Sequence, residues 1–318
     1  MNSHRRKAIE RGAEGAPLRA VADVRRAPPR RRSIARRKAT DLVVKVFSWV
    51  GAWFGIAVMA FIVYEVVRRG AGVLNVAFFT QATPQDVTSN AGGFANAIVG
   101  TLVITGVAAL IAIPVGFLGG VYLAEFGRNG RIATSVRMIA NVVMGVPSII
   151  VGVFAFAILV KPVGHYSGFA GSVALAFIML PVMARTTEDI LNLVPNELRE
   201  SALAMGAPRW KVTLGVVCKA ARGGLITGAT LAVVRVAGET APLLFTALSS
   251  PYWMTGLFGP GGFFGGPVAN LTKTIYDLAG TPYPQWQSLA WGGALVIIVA
   301  VLGMNLLMRL LFQRGKEW

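Results

Sequence analysis

Six stretches of about 20 mostly apolar residues dominate this chain, at roughly 46–67, 95–123, 138–160, 169–187, 223–249 and 288–310. Each is long enough to cross a hydrocarbon core about 30 Å thick as a helix. Backbone groups in lipid must be satisfied within the protein, so an α-helical bundle is the economical answer. Composition agrees: 54% of the residues are apolar and 14% charged, against about 25% charged in an ordinary soluble domain. The expected fold is therefore an all-α membrane protein of six transmembrane helices.

The formal charge is +17, and its distribution sets the orientation. Residues 1–45 hold 14 of the 31 Lys and Arg. With the N-terminus inside, segments 1–45, 124–137, 185–222 and 309–318 are cytoplasmic and carry 26 of the 31; the outer segments carry only Arg68, Arg69, Lys161 and Lys273. Cytoplasmic loops are the ones enriched in Lys and Arg. Both termini are thus expected in the cytoplasm, in a multi-pass membrane protein. Residues 1–45 are of low complexity, as in Ala27-Pro28-Pro29-Arg30-Arg31-Arg32, and read as a disordered basic tail. Such a tail fixes topology; an arm for anionic lipid or nucleic acid is the other reading of clustered Arg. We assign membrane lipid, and no nucleic acid, as its surroundings. Residues 46–94 then form the first span and outer loop, 95–312 the core, and 313–318 a cytoplasmic C-terminus.

Several functions are set aside. One cysteine, Cys218, excludes an intrachain disulfide, and with two histidines it gives no zinc pattern. The glycine-rich run Gly256–Pro267 lacks the Gly-Lys-Ser/Thr ending of a phosphate-binding loop. It reads as a re-entrant turn or a flexible connector, with a short helix over 268–280. No His-Glu-x-x-His, Gly-x-Ser-x-Gly or intramembrane aspartate pair marks an enzyme. The chain is expected to bind no metal and no cofactor of its own.

Residues 195–217 are too polar to span and too patterned for a loose loop. Asn196 is placed to cap a helix, with Glu197 and Glu200 near the positive end of its dipole. Leu198, Ala202 and Met205 form one stripe, and Trp210, Leu214 and Val217 another. Gly206 suits a left-handed helix end and Pro208 a helix start. The expected product is a helical hairpin on the cytoplasmic surface, which by physics alone either joins two spans or docks a partner.

Arg235 and Glu239 stand four residues apart within the fifth apolar stretch. A charge at the bilayer centre costs at least about 2.5 to 3.5 kcal/mol on insertion scales, so the two are expected to pair on one helix face and to border a polar pathway. The bland alternative is a structural ion pair. Gly238 and Pro242 break the helix beside them, and freed backbone at this depth lines a cavity or packs in protein. A planar guanidinium that holds its proton suits an oxyanion. Glu239 is expected to orient Arg235 and to accept the proton of an oxyanion that still carries one. Arg185, at the inner end of span four, is either a second contact or a snorkelling side chain.

Glu200-Ser201-Ala202 with Gly206 resembles the coupling motif of ABC importer permeases. Together with Gly145-Val146-Pro147-Ser148, Arg185-Thr186-Thr187-Glu188, Gly206-Ala207-Pro208-Arg209-Trp210-Lys211 and Arg235-Val236-Ala237-Gly238-Glu239-Thr240-Ala241-Pro242, the chain is similar to the PstA-type permease family of phosphate importers over most of residues 95–310. It departs from the coupling motif at Val216-Val217-Cys218-Lys219, where the superfamily has hydrophobic-x-Leu-Pro. The resemblance implies a non-enzymatic transport subunit forming half of a phosphate pathway through Arg235, Glu239, Thr240 and Arg185. Glu200, Ser201, Ala202 and Gly206 would couple it to a separate ATPase. Implied partners are a PstC-type permease, a PstB-type ATPase dimer holding ATP and Mg, and a PstS-type external phosphate-binding protein. A permease for another oxyanion, sulfate or molybdate, is the alternative.

Overall fold

The computed structural model describes residues 34–86, 92–127 and 130–313, and contains helices and turns but no strand among them. Two units are distinguished, Met1–Val63 and Tyr64–Trp318. The described part of the first is the opening of helix α1 (Ile34–Gly70). Its apolar side chains, among them Phe47, Trp49, Trp53 and Phe61, are exposed, the condition of a helix whose solvent is lipid. The helix starts at Ile34, well before the expected boundary at 46, because Ala35-Arg36-Arg37-Lys38-Ala39 are strong helix formers that extend the helix backwards from the apolar stretch. The rest of the expected tail, 1–33, and the C-terminal residues 314–318 lie outside the described residues.

The second unit holds α2 (Val76–Thr80), α3 (Ala95–Gly127), α4 (Arg131–Gly145), α5 (Ser148–Val163), α6 (Gly168–Asn192), α7 (Asn196–Ala204), α8 (Arg209–Ala220), α9 (Arg222–Ala237), α10 (Ala241–Thr246), α11 (Leu271–Ala279) and α12 (Pro284–Gln313). Four helices are long and apolar enough to cross a membrane, and the total is six if α4 with α5 and α8 with α9 each count as one bent span.

The third span is not the straight helix expected over 138–160, since α4 and α5 meet at 102°. Pro147 explains the bend. A residue before proline is forced out of helical geometry, and Val146 is extended, with φ −71° and ψ 132°. The fifth span breaks where Gly238 and Pro242 indicated: α9 ends at Ala237 and α10 restarts at Ala241.

Helices α3 and α6 form the centre. Ala108, Ala112, Gly116 and Gly120 recur every four residues on α3, a stripe of small side chains that lets two backbones approach. A Cβ on Gly116 would lie 2.7 Å from Met183 Cβ, and one on Gly120 2.5 Å from the Ala184 carbonyl oxygen and against Thr187. Ser172 Oγ donates to the Ile104 carbonyl at 2.9 Å, adding a polar tie between the same helices. The α10 turn sits on α5 and α6 through Gly152 and Gly171, whose Cβ atoms would meet Pro242 Cα and Ala247 Cβ, each at 2.8 Å.

At the end of this bundle opposite α7, the glycine-rich run is folded rather than loose. Phe263 N donates to Gly256 O and Phe264 N to Leu257 O, both at 2.9 Å. Gly256 (φ +137°) and Gly259 (φ +94°) supply the turns that side-chain-bearing residues resist. Phe263 is buried against Gly168 at the start of α6. The expected helix over 268–280 is α11, capped by Asn270, whose Oδ1 accepts from Lys273 N at 3.0 Å.

Candidate functional site

Three groupings of polar residues interrupt this apolar body. The first surrounds the break between α9 and α10. Ala232 and Val236, on one side of α9, are buried against Leu175, Ala176 and Met179 of α6, so Arg235 lies at the depth of the middle of α6. From Arg222 it is about 20 Å along the helix, at about 1.5 Å per residue. Its side chain is exposed from this chain, on the face shared with Leu231. The expected ion pair with Glu239 is not formed, and neither side chain has a hydrogen-bond or ion-pair partner among the described residues. The reason is the break itself: a shared face four residues on needs a continuous helix, and α9 stops at Ala237. Glu239 N instead closes the last turn onto Val236 O at 3.0 Å. Thr272 Oγ1 of α11 donates to the Glu239 carbonyl at 3.0 Å, holding the break in place. Thr240 precedes α10 at its cap position without a side-chain capping bond.

The second grouping centres on Glu188, which is 3% exposed. Its Oε1 accepts from Arg137 Nε of α4 and its Oε2 from Arg185 Nη1, both at 2.6 Å. Arg137 Nη2 also donates to the Leu123 carbonyl of α3 at 2.9 Å. Arg185 is therefore placed in an ion cluster joining α4 to α6. Arg185 with Glu188 was readable as an i, i+3 pair; Arg137 was not, because only the bend at Pro147 and the fold of α4 bring it there.

The third grouping is the hairpin α7–α8. Gly206 takes φ +80° and its N–H donates to Leu203 O at 2.9 Å, ending α7. The cap position of α7 belongs to Pro195, and Asn196 is the first helical residue. Glu200, Ser201 and Gly206 are exposed and Ala202 is half-buried. Leu198 and Met205 point outward too, Met205 at 87% exposure. The stripe predicted on α7 is thus presented to the surroundings, while the opposite face carries Arg199. That residue is 8% exposed and binds Glu125 Oε1 at the end of α3 through Nη2 at 2.8 Å and Nε at 3.0 Å. Sequence reasoning missed this pair; the available signal was an acidic residue ending an apolar span and an arginine one position ahead of the exposed turn.

Residues 112–316, which contain all three groupings, match the family described as binding-protein-dependent transport system inner membrane component. The phosphate transport system permease protein PstA of Yersinia pestis is 41% identical over 91% of this chain and 95% of its own length. PstA 1 of Mycobacterium tuberculosis strain H37Rv is 34% identical over 85% and 87%. The chain belongs to the PstA family of these permeases. Among solved structures, a chain of the MetNI methionine ABC transporter in an inward-facing conformation aligns with a TM-score of 0.56 at 21% identity, covering 69% of this chain and 94% of that one. A chain of a bacterial ABC transporter that imports alginate aligns at 0.57 and 15% identity, covering 88% and 98%. These distant likenesses bear on the fold alone.

Proposed function

We propose that this permease carries phosphate inward through a path bordered by Arg235, Glu239 and Thr240, driven by ATP hydrolysed on a separate subunit docked at the hairpin. The observation that supports it most strongly is Arg235: a permanent charge at mid-bundle depth, with no side-chain partner among the described residues, beside a helix break held open by Thr272. A lipid-facing guanidinium there carries a large insertion cost, whereas one facing a second permease across a polar path has water and anion to solvate it. The names of its relatives give the anion as phosphate, and the fork of guanidinium N–H groups fits two phosphate oxygens.

The exposed Leu198, Met205 and Trp210 on a hairpin otherwise rich in charge are the features of a docking surface. In this reading the PstB-type partner binds ATP and Mg and meets Glu200, Ser201, Ala202 and Gly206. A PstC-type permease completes the path, and a PstS-type protein delivers phosphate from outside. The hairpin and both termini lie in the cytoplasm, following the distribution of Lys and Arg. Arg185 meets phosphate only by exchanging Glu188 for it, at the inner end of the path. The test is phosphate uptake into vesicles carrying the whole complex, with ATP inside, against a tenfold excess of sulfate or molybdate. ATP-dependent uptake that both competitors leave unchanged supports the proposal; uptake suppressed by either assigns the site to another oxyanion, and uptake without ATP removes the coupling.

A further inference from the structure

The hairpin must pass a movement of its docked partner to the spans, and Arg199 is built into that joint from three directions. Two of its N–H groups go to Glu125 at the end of α3. Nη2 also donates to the Leu191 carbonyl at 2.7 Å, and Nη1 donates to the Val194 carbonyl at 2.5 Å and to Asn196 Oδ1 at 3.4 Å. The Leu191 carbonyl lies in the last turn of α6 and also accepts from Val194 N at 3.2 Å, and Val194 follows that helix end. One guanidinium therefore fastens α7 to the ends of both central helices.

The surroundings isolate this contact. A pocket of about 360 Å³ opens between the end of α3 and the hairpin, lined by Glu125, Phe126, Arg199, Glu200 and Arg209. The apolar cluster beside it includes Val121, Ala124, Leu191, Val194, Val212 and Val217, and hydrophobic contact has no direction and permits sliding. A fork of charge-assisted hydrogen bonds fixes orientation as well as distance. Glu125 also sits in a π-helical turn, Tyr122–Gly127, an irregularity in α3 at the residue that makes the contact.

We infer that Arg199, held by Glu125, is the positioning residue that makes α7 move as one body with the ends of α3 and α6, so that partner closure becomes span movement. This rests on the hairpin being the ATPase docking element. It concerns the inward face of α7 and not the exposed turn that meets the partner.

The experiment uses the full complex in vesicles with the phosphate-binding protein, reading phosphate taken up per ATP hydrolysed for wild type, E125Q and R199K. In E125Q the fork loses its charged acceptor; in R199K one ammonium cannot span α3 and α6 together. Both are expected to assemble and to hydrolyse ATP while uptake per ATP falls by about 5- to 150-fold, the range of coupling between distinct sites. A merely structural role would lower the amount of complex and leave that ratio unchanged, which overturns the inference. If E125Q does not assemble, R199K decides the matter on the same ratio. A wild-type complex lacking ATP-linked uptake sinks the proposed function itself, whereas a coupled wild type with equally coupled variants sinks only the role of Arg199.

Discussion

Replacing Arg235 by glutamine separates a pathway residue from a structural one, because the two roles give opposite signs for stability. Were Arg235 half of a buried ion pair, R235Q would leave an uncompensated charge and cost about 3 to 5 kcal/mol. The structure gives it no partner among the described residues, so nothing is orphaned, and removing the charge eases insertion by at most about 2.5 to 3.5 kcal/mol, less where water in the path already solvates it. Transport moves the other way. Two charge-assisted hydrogen bonds to a passing anion are worth about 1.5 to 3 kcal/mol each. Their loss raises the barrier by about 3 to 6 kcal/mol, or roughly 10²- to 10⁴-fold in rate. R235K keeps the charge but not the fork and is expected to lose about 10- to 100-fold, one such bond. Initial rates of phosphate uptake in vesicles, with the melting temperature of the purified complex, read both quantities. R235Q complex that melts several degrees below wild type, or that transports within about threefold of it, would refute the reasoning.

Other substitutions probe the remaining groupings. E239Q removes an acceptor for the proton of hydrogen phosphate, a bond that fully ionised sulfate cannot make; sulfate competition should strengthen, and unchanged selectivity would exclude that role. G120V drives a branched side chain into Thr187 and the Ala184 carbonyl, an overpacking expected to cost about 1 to 3 kcal/mol or more and visible as lost yield and melting temperature. E188Q leaves Arg137 and Arg185 with a neutral acceptor; because those side chains are 26% and 29% exposed, we expect about 1 to 3 kcal/mol, below a fully buried pair. M205E charges the most exposed large apolar side chain of the hairpin and should reduce co-purification of the ATPase at least about tenfold without changing the stability of the permease alone.

The spans, the hairpin and the break in the fifth span were legible because each is written locally: an apolar run, a stripe closed by Gly206, a glycine and a proline four residues apart. The ion pairs were not, because periodicity says nothing about which distant residue faces a charge. Arg137 and Glu188 lie 51 positions apart and Glu125 and Arg199 74, and no spacing rule reaches so far. The one pair assigned from spacing, Arg235 with Glu239, failed where two local rules conflicted: i, i+4 proximity presumes the helix that Gly238 and Pro242 end. The bend at Pro147 was equally local, yet continuous apolarity across 138–160 concealed it.

Charges inside this bundle thus fall into two kinds. Glu188, Arg137, Arg185, Glu125, Arg199 and Lys273 all find counter-charges in the chain, so the sequence is well able to neutralise buried charge where structure alone is served. Arg235 has a carboxylate four residues away and does not use it. Continuing α9 by one turn would place Glu239 on the face of the guanidinium and quench it. Pro242 prevents this, having no N–H for the Gly238 carbonyl and a ring that clashes there, and Thr272 fixes the Glu239 backbone in the broken geometry. The break therefore does more than bend a span: among the described residues it leaves a fixed positive charge unpaired at mid-bundle depth, which on the proposed function is the condition for binding an anion in passing rather than holding a neighbouring helix.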